Sequence, residues 1–222
     1  MNNMFDSKKY RKNRYCNHRN TDLIQEPTKA IRLKYVEQNI DLLKLSKGNK
    51  ILDIGGNNFK GYCKSHNYEY IMIDLESEQK HGTGGYSGGG LTYNGRDLPF
   101  DENSFEVIIV SFILHHAGSN TIHLLKQIKN ISSRYIIICE DLCAIEYPIK
   151  WHERCFNHQK NGIYRSDEEW KFLFKTFNLK MIDILNIRLN RDNIFSDPFE
   201  YNYRIQYTLT KNLDDQILYN NR

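Results

Sequence analysis

The sequence predicts one α/β domain, with a mostly parallel sheet of seven strands, helices on both faces and an antiparallel last strand. Three observations predict this fold. Short apolar runs alternate with stretches of helical periodicity, which is the pattern of βαβ units. The last run, Tyr201–Thr210, alternates apolar and polar residues, as an antiparallel strand with one exposed face would. The length of 222 residues suits one α/β domain better than two.

The first half of the chain predicts two helices and two buried strands. Apolar residues over 28–47 recur on one helical face, and Gly48 is predicted to end that helix. The runs Lys50–Ile54 and Tyr70–Asp74 are short and apolar, which is typical of strands that are buried on both faces. A short helix is predicted over Phe59–His66, between these strands.

The second half continues the alternation of strands and helices. Three more strands are predicted, over Leu91–Asn94, Phe105–Phe112 and Tyr135–Cys139. The apolar periodicity of Asn120–Ile131 predicts a helix before the last of them. Ser166, with Glu169 three residues later, has the capping-box pattern of a helix start. Late strands are predicted over Leu179–Ile187 and Tyr201–Thr210.

Positive charge is concentrated at the start of the chain, although the net charge is only +4. Residues 1–22 are predicted to be a basic, disordered arm, and residues 23–222 the single domain. The basic residues of the arm are Lys8, Lys9, Arg11, Lys12, Arg14 and Arg19. A solvated tail is the simpler interpretation of the arm. Contact with RNA or a nucleotide is the alternative, since tyrosines interleave with the charges.

Composition argues against membrane and metal-binding classes. No apolar run is long enough to cross a bilayer and no apolar stretch follows the basic start, so we expect a cytoplasmic (intracellular) protein without membrane partners. Five irregularly spaced cysteines indicate reduced thiols. The spacing of Cys139, Cys143, His152 and Cys155 fits no common zinc pattern, so we expect no metal.

Polar residues and glycines follow the first two predicted strands, at the end where ligands of parallel sheets bind. Asp53 ends the first strand, and Gly55 and Gly56 then allow a close approach of the backbone to a ligand. Asp74 ends the second strand, where a carboxylate can accept both ribose hydroxyl protons. Alone, these residues are equally consistent with a tight turn and a solvated aspartate.

A third segment makes the pattern specific. Leu98–Phe100, Ser104–Glu106 and Ile113–His116 occur in the order and spacing that resemble the third-to-fourth-strand segment of class I S-adenosylmethionine-dependent methyltransferases. The nearest resemblance is to the methyltransferase type 11 group, whose first cofactor motif Ile51–Gly56 resembles. The resemblance covers residues 48–142 well and the rest loosely. It implies a Rossmann-like fold, S-adenosyl-L-methionine as cofactor, and methyl transfer to an acceptor that is expected to be a small molecule.

The resemblance also implies where the cofactor binds, and two departures from the family pattern accompany it. The implied residues are Asp53, Gly55, Gly56 and Asn57 at the methionine end, Asp74 at the ribose, Asn94 and Gly95 at the adenine edge, and Ser111 and Phe112 in the pocket wall.

Asn57 and Phe59 stand where the family's Gly-x-Gly-x-Gly turn has its second and third glycines. Asn tolerates a left-handed backbone, whereas Phe59 is expected to reshape the methionine end. Asn94 stands where the family usually has Asp, although an amide carbonyl can also accept from adenine.

Acid–base candidates follow the fourth and fifth strands. His115 and His116 follow the fourth strand and Glu140 follows the fifth, while His152 lies in residues 142–165, a predicted acceptor-side lid. His116, His152 and Glu140 are the candidate catalytic residues. Methyl transfer is an in-line displacement, so a base is needed only when the acceptor atom is protonated.

Two alternatives remain open from the sequence. An NAD-type Rossmann oxidoreductase shares the glycine turn and the ribose carboxylate, but it does not predict the Leu98–Phe100 segment. A catalytically degenerate methyltransferase-fold binding module is consistent with Asn57, Phe59 and Asn94.

Overall fold

A seven-stranded sheet is the centre of the molecule. The computed structural model describes residues 33–56, 59–75, 90–142, 163–187 and 204–218. The strands are β1 (Lys50–Ile54), β2 (Glu69–Leu75), β3 (Leu91–Tyr93), β4 (Phe105–Ser111), β5 (Ser132–Asp141), β6 (Lys180–Ile187) and β7 (Arg204–Thr210). Their order in the sheet is β3-β2-β1-β4-β5-β7-β6.

Strand directions confirm the predicted mixed sheet. Neighbouring strands from β3 to β5 are all parallel, whereas β7 is antiparallel to both β5 and β6. The central position of β4 in the sheet explains its apolar sequence. Four of its residues are fully buried: Val107, Ile108, Ile109 and Val110. A parallel strand covered on both faces needs apolar residues on both.

Helices cover both faces of the sheet, as predicted, and the described residues contain four of them. They are α1 (33–42), α2 (Lys60–Ser65), α3 (Thr121–Ile131) and α4 (Asp167–Thr176). On one face, Ile40 of α1 and Cys63 of α2 share a core with Ile109 of β4. On the other face, α3 and α4 pack against the alternate β4 residues, with Leu125 and Trp170 in that second core.

Among the described residues, two element boundaries differ most from the prediction. Helix α1 ends at residue 42, because Lys44 has the left-handed φ of 49° that closes a helix. Gly48, the predicted terminator, lies in the following turn, where its N–H donates to the Asn67 carbonyl at 2.8 Å. Strand β5 begins at Ser132 instead of Tyr135. Ser132 pairs with Phe105 at the start of β4, so the polar residues before Tyr135 extend the β4–β5 ladder beyond the apolar part of the strand.

Several sequence predictions lie outside the described residues. These are the basic arm, the start of the first helix, Asn57, and residues 143–162 of the predicted acceptor-side lid, which include His152. Among the helices of the described ranges, none is long and apolar enough to cross a membrane.

Candidate active site

The strand order places one candidate site at the carboxyl ends of β1, β2, β3 and β4. The chain leaves β1 toward β2 on one side, and β4 lies on the other side, so the sheet reverses its direction of growth between β1 and β4. Ligands of open α/β sheets bind outside the carboxyl ends of the strands at such a reversal. The loops that follow these strands therefore carry the candidate residues.

The turn after β1 requires its two glycines. Gly55 and Gly56 have left-handed φ angles of 89° and 64°. A Cβ atom on Gly55 would lie 2.3 Å from Cδ1 of Ile113, so a larger residue would also collide with the segment after β4. The Gly55 N–H donates to the Ile73 carbonyl of β2 at 3.0 Å, which holds the turn over the end of the sheet.

Asp53 and Phe59 flank this turn. Asp53 is fully buried, and its Oδ2 accepts a hydrogen bond from the Tyr70 hydroxyl at 2.8 Å. Phe59 precedes α2 with an ordinary φ of −79°, so its position does not need a glycine. Its side chain is buried in the core with Val36 and Cys63. Phe59 thus anchors the chain to the core at the point where the turn meets α2.

Asp74 and Asn94 lie at the ends of β2 and β3. Asp74 is half-buried, and its Oδ1 accepts the Leu75 N–H at 2.7 Å. Oδ1 of Asn94 accepts the N–H groups of Arg96 and Asp97, both at 2.8 Å, so this amide oxygen is engaged by its own turn. Gly95 has a φ of 80°, and a Cβ atom there would meet Leu75 at 2.9 Å.

Gln127 of α3 fixes the loop that follows Asn94. Its Nε2 donates to the Arg96 carbonyl at 2.6 Å, and its Oε1 accepts the Leu98 N–H at 2.7 Å. No sequence pattern distinguishes this glutamine from the other polar residues of α3. Its role appears only when the helix packs beside the loop.

The chain turns sharply outward after β4. Ser111 is buried, and Phe112 has a left-handed φ of 58°, which is uncommon for a residue with an aromatic side chain. The Phe112 N–H donates to the Cys139 carbonyl of β5 at 2.8 Å and thereby holds this conformation. Strained backbone of this kind concentrates at functional sites.

The structure joins Glu140 to His115, the neighbour of the candidate catalytic residue His116. Nδ1 of His115 lies 2.5 Å from Oε2 of Glu140, and both side chains are buried. The other carboxylate oxygen of Glu140 accepts the Leu114 N–H at 2.8 Å. Adjacent histidines in a sequence do not reveal which of them turns inward, and this information comes only from the loop geometry.

Aromatic rings surround this buried pair. The His115 ring lies 4.1 Å from the His116 ring and stacks on Tyr164 at 4.7 Å between centroids. His116 remains exposed at the surface, yet partial burial, with His115 as a second cause, lowers its pKa to about 4. Unprotonated His116 therefore carries no charge at neutral pH.

Hydrogen bonds and a cation–π contact hold residues 163–165, which lie just before α4. The Ile163 N–H donates to the His115 carbonyl at 2.8 Å. Nη1 of Arg165 donates to Thr121 Oγ1 at 3.3 Å, and its guanidinium lies 5.2 Å from the ring centre of Trp170. Burial lowers the pKa of Arg165, which nonetheless stays a cation at neutral pH. Residues 163–165, the described end of the segment predicted to be a lid, thus lie beside the His115–Glu140 pair.

Metal-ligating side chains do not converge in the described part of the chain, where no group of three or more His, Cys, Asp or Glu residues could hold an ion. Cys139 lies within β5, as expected.

Comparison with known proteins identifies the fold. No protein-family model and no curated protein sequence matches the chain. Solved structures of methyltransferases do match. A proposed sarcosine dimethylglycine methyltransferase from Galdieria sulphuraria aligns with a TM-score of 0.61 and 10% identity, over 82% of this chain and 86% of the other. A proposed methyltransferase from Bacillus halodurans gives 0.59 and 12%, over 78% and 96%.

A SAM-dependent methyltransferase from Methanosarcina mazei is similar to the same degree, with a TM-score of 0.56 and 16% identity over 78% of this chain and 96% of the other. Identities this low establish the fold alone. The chain has the class I methyltransferase fold, which confirms the fold that the sequence resemblance implied.

Proposed function

We propose that this protein is an S-adenosylmethionine-dependent methyltransferase that acts on a small-molecule acceptor. One observation carries the proposal. The carboxyl ends of β1, β2 and β3 bring the Gly55–Gly56 turn, Asp74 and the Asn94–Gly95 turn to one rim of a methyltransferase-fold sheet. S-adenosylmethionine is a nucleoside with a charged tail, and these groups suit its parts. Across β1, β2 and β3 they follow the order methionine, ribose and adenine.

The residues on this rim suit the cofactor chemically. Gly55 and Gly56 leave the backbone accessible to the methionine part, with Asp53 beneath it, and Asn57, outside the described residues, stays a candidate at the same end. Asp74 presents a carboxylate to the ribose hydroxyls, and Asn94 and Gly95 form the adenine edge. Ser111 and Phe112 complete the pocket wall. When bound, the cofactor supplies a methyl group on a positively charged sulfur.

The acceptor side carries a pair that can take up a proton. The 2.5 Å contact fixes the His115 ring with Nδ1 toward Glu140. A neutral ring that donates from Nδ1 to a carboxylate would carry its lone pair on Nε2, which is the tautomer of a general base. We propose that Glu140 acts through His115, while His116 and His152 remain candidates for contacts to the acceptor.

The sheet argues against the NAD-type alternative. Dinucleotide-binding Rossmann sheets have the strand order 3-2-1-4-5-6 and are parallel throughout that set. Here the antiparallel β7 lies between β5 and β6.

Ligand-induced stabilisation tests the proposal. S-adenosylhomocysteine should raise the melting temperature in a concentration-dependent way, because a ligand that binds only the folded state stabilises it, whereas NAD should not. Labelled methyl transfer from S-adenosylmethionine into fractionated cell extract should then appear in the small-molecule fraction. Label in RNA would instead identify RNA as the acceptor, with the basic arm as the segment that contacts it. Binding without transfer to any fraction would identify a degenerate binding module, and protection by NAD alone would refute the cofactor assignment.

A further inference from the structure

The hydroxyl group of Tyr70 connects the two ends of the turn that follows β1. It donates a hydrogen bond to Asp53 Oδ2 at 2.8 Å and accepts one from the Phe59 N–H at 3.2 Å. Asp53 is the next-to-last residue of β1, and Phe59 is the residue immediately before α2. One side chain from the neighbouring strand therefore holds both the entry and the exit of the turn that contains Gly55 and Gly56.

The register of the sheet explains why Tyr70 can reach both groups. Tyr70 is paired with Ile51, and Asp53 with Met72. Asp53 lies two residues beyond Ile51, so it presents its side chain on the same face of the sheet as Tyr70. The phenol ring is long enough to extend along the strand from one pair to the next. The hydroxyl then lies beside the end of β1 and below the start of α2.

This link compensates for the missing third glycine. In the part of the turn that the structure describes, the left-handed residues are Gly55 and Gly56, and Phe59 has an ordinary backbone conformation. The Phe59 ring is held by the core. Phe59 is the N-cap residue of α2, and its own side chain makes no capping hydrogen bond. The first N–H groups of a helix lack partners within the helix, so the Tyr70 oxygen satisfies a donor that the short α2 leaves open.

We propose that Tyr70 is a positioning residue for cofactor binding. Its hydroxyl closes the turn from Asp53 to Phe59 and thereby holds Gly55 and Gly56 in the conformation that receives the methionine part of S-adenosylmethionine. The inference rests on the proposed function and extends it from the residues of the rim to a side chain that holds their turn. Burial raises the pKa of the nearby Cys63 thiol to about 12, and the Asp53 charge adds to this increase, which is consistent with a carboxylate held below the turn.

The first test needs no ligand. In Tyr70→Phe, amide hydrogen exchange at Phe59 should become about tenfold faster, because an amide that loses its partner is protected less. Tyr68→Phe is the matched control, since Tyr68 lies just before the same strand at its opposite end. Exchange at Phe59 that is equally fast in wild type and Tyr70→Phe would overturn the link itself.

The second test measures binding of S-adenosylhomocysteine by calorimetry. Tyr70→Phe should raise the dissociation constant about three- to tenfold, which is the contribution of one ordinary hydrogen bond, and Tyr68→Phe should not change it. In a double-mutant cycle with Asp53→Asn, the two effects should be non-additive, because Tyr70 acts partly through Asp53.

Two outcomes distinguish the inference from the proposed function. If wild type binds the ligand and Tyr70→Phe binds equally well but melts at a lower temperature, Tyr70 is only structural and the inference is wrong. If wild type itself does not bind, the proposed function fails, and the role of Tyr70 toward the cofactor fails with it.

Discussion

Asp74 is the residue at which the cofactor hypothesis is most directly testable. Its carboxylate lies half-buried at the end of β2, where it would accept bonds from the two ribose hydroxyls. We expect Asp74→Ala to weaken S-adenosylhomocysteine binding by about 1–3 kcal/mol, the scale of hydrogen bonds to a charged group. Calorimetry of this variant beside Asp101→Ala, an exposed loop aspartate, measures the effect. Equal affinities for both variants would remove Asp74 from the site.

At Asn94, a substitution should strengthen cofactor binding instead of weakening it. Both hydrogen bonds that its amide oxygen accepts come from its own turn. A carboxylate has about four acceptor positions, so Asn94→Asp should keep the turn and add an acceptor for the adenine amino group. We expect the dissociation constant of S-adenosylhomocysteine to fall. An unchanged constant, measured by the same calorimetry, would place the adenine elsewhere on the rim.

His116 should make the protein sensitive to acid. Its folded-state pKa is lowered from 6.5 to about 4, so the unfolded chain binds the proton more readily between these values. Stability must therefore decrease as the pH falls through this window, and the effect should be small because the side chain is exposed. Urea unfolding at pH 7 and pH 5 should show a smaller loss for His116→Asn than for wild type. Identical losses in both proteins would contradict the lowered pKa.

Among the elements, α4 is the one whose start was predicted in detail. Ser166 Oγ accepts the Glu169 N–H at 3.2 Å, and Glu169 Oε2 accepts the Ser166 N–H at 2.7 Å, which is the capping box that the sequence pattern predicts. Local sequence was sufficient here because both partners lie within one helical turn.

This cap should contribute measurably to stability. Removing the hydroxyl leaves a helix N–H without its partner, so Ser166→Ala should lower the free energy of unfolding by about 1 kcal/mol. Urea denaturation measures the change, and Ser65→Ala is a suitable control because that hydroxyl is exposed and caps no helix start. A loss no larger than that of the control would show that α4 is held by the packing of Trp170 and Phe174 alone.

At the scale of the whole molecule, the sheet and its two covering layers account for the fold from residue 33 onward. Both cores draw their buried residues from the central strands, with α1 and α2 on one side and α3 and α4 on the other. Helix α1 is also tied to the far side of the sheet, since Asn39 Nδ2 donates to Thr208 Oγ1 at 2.8 Å. Helix α1 is thus an integral part of the folded core.

Deletion of residues 1–20 should therefore leave a cooperative thermal transition of unchanged midpoint. The deleted segment has no apolar periodicity with which to enter a core. A deletion that extends through residue 40 is the control, and it should abolish cooperative melting because it removes Val36 and Ile40 from the core. If the shorter deletion also abolishes the transition, the arm is part of the folded domain.

The sequence by itself determined the sheet and the location of the site. Apolar runs of strand length, helical periodicity between them and an alternating late strand are local signals, and they predicted the seven strands and both layers of helices. The glycines after β1 and the carboxylate after β2 also follow from local pattern, because parallel strands bring their carboxyl ends together.

Only the tertiary structure decided which side chains meet. His115 pairs with Glu140, Gln127 fixes the loop that follows Asn94, and Tyr70 joins Asp53 to Phe59. Each contact joins residues 11 to 31 positions apart, through backbone turns such as the left-handed Phe112 that no local pattern predicts. Hydrogen bonds depend on tenths of an ångström and on direction, whereas sequence periodicity specifies only the face of an element on which a residue lies.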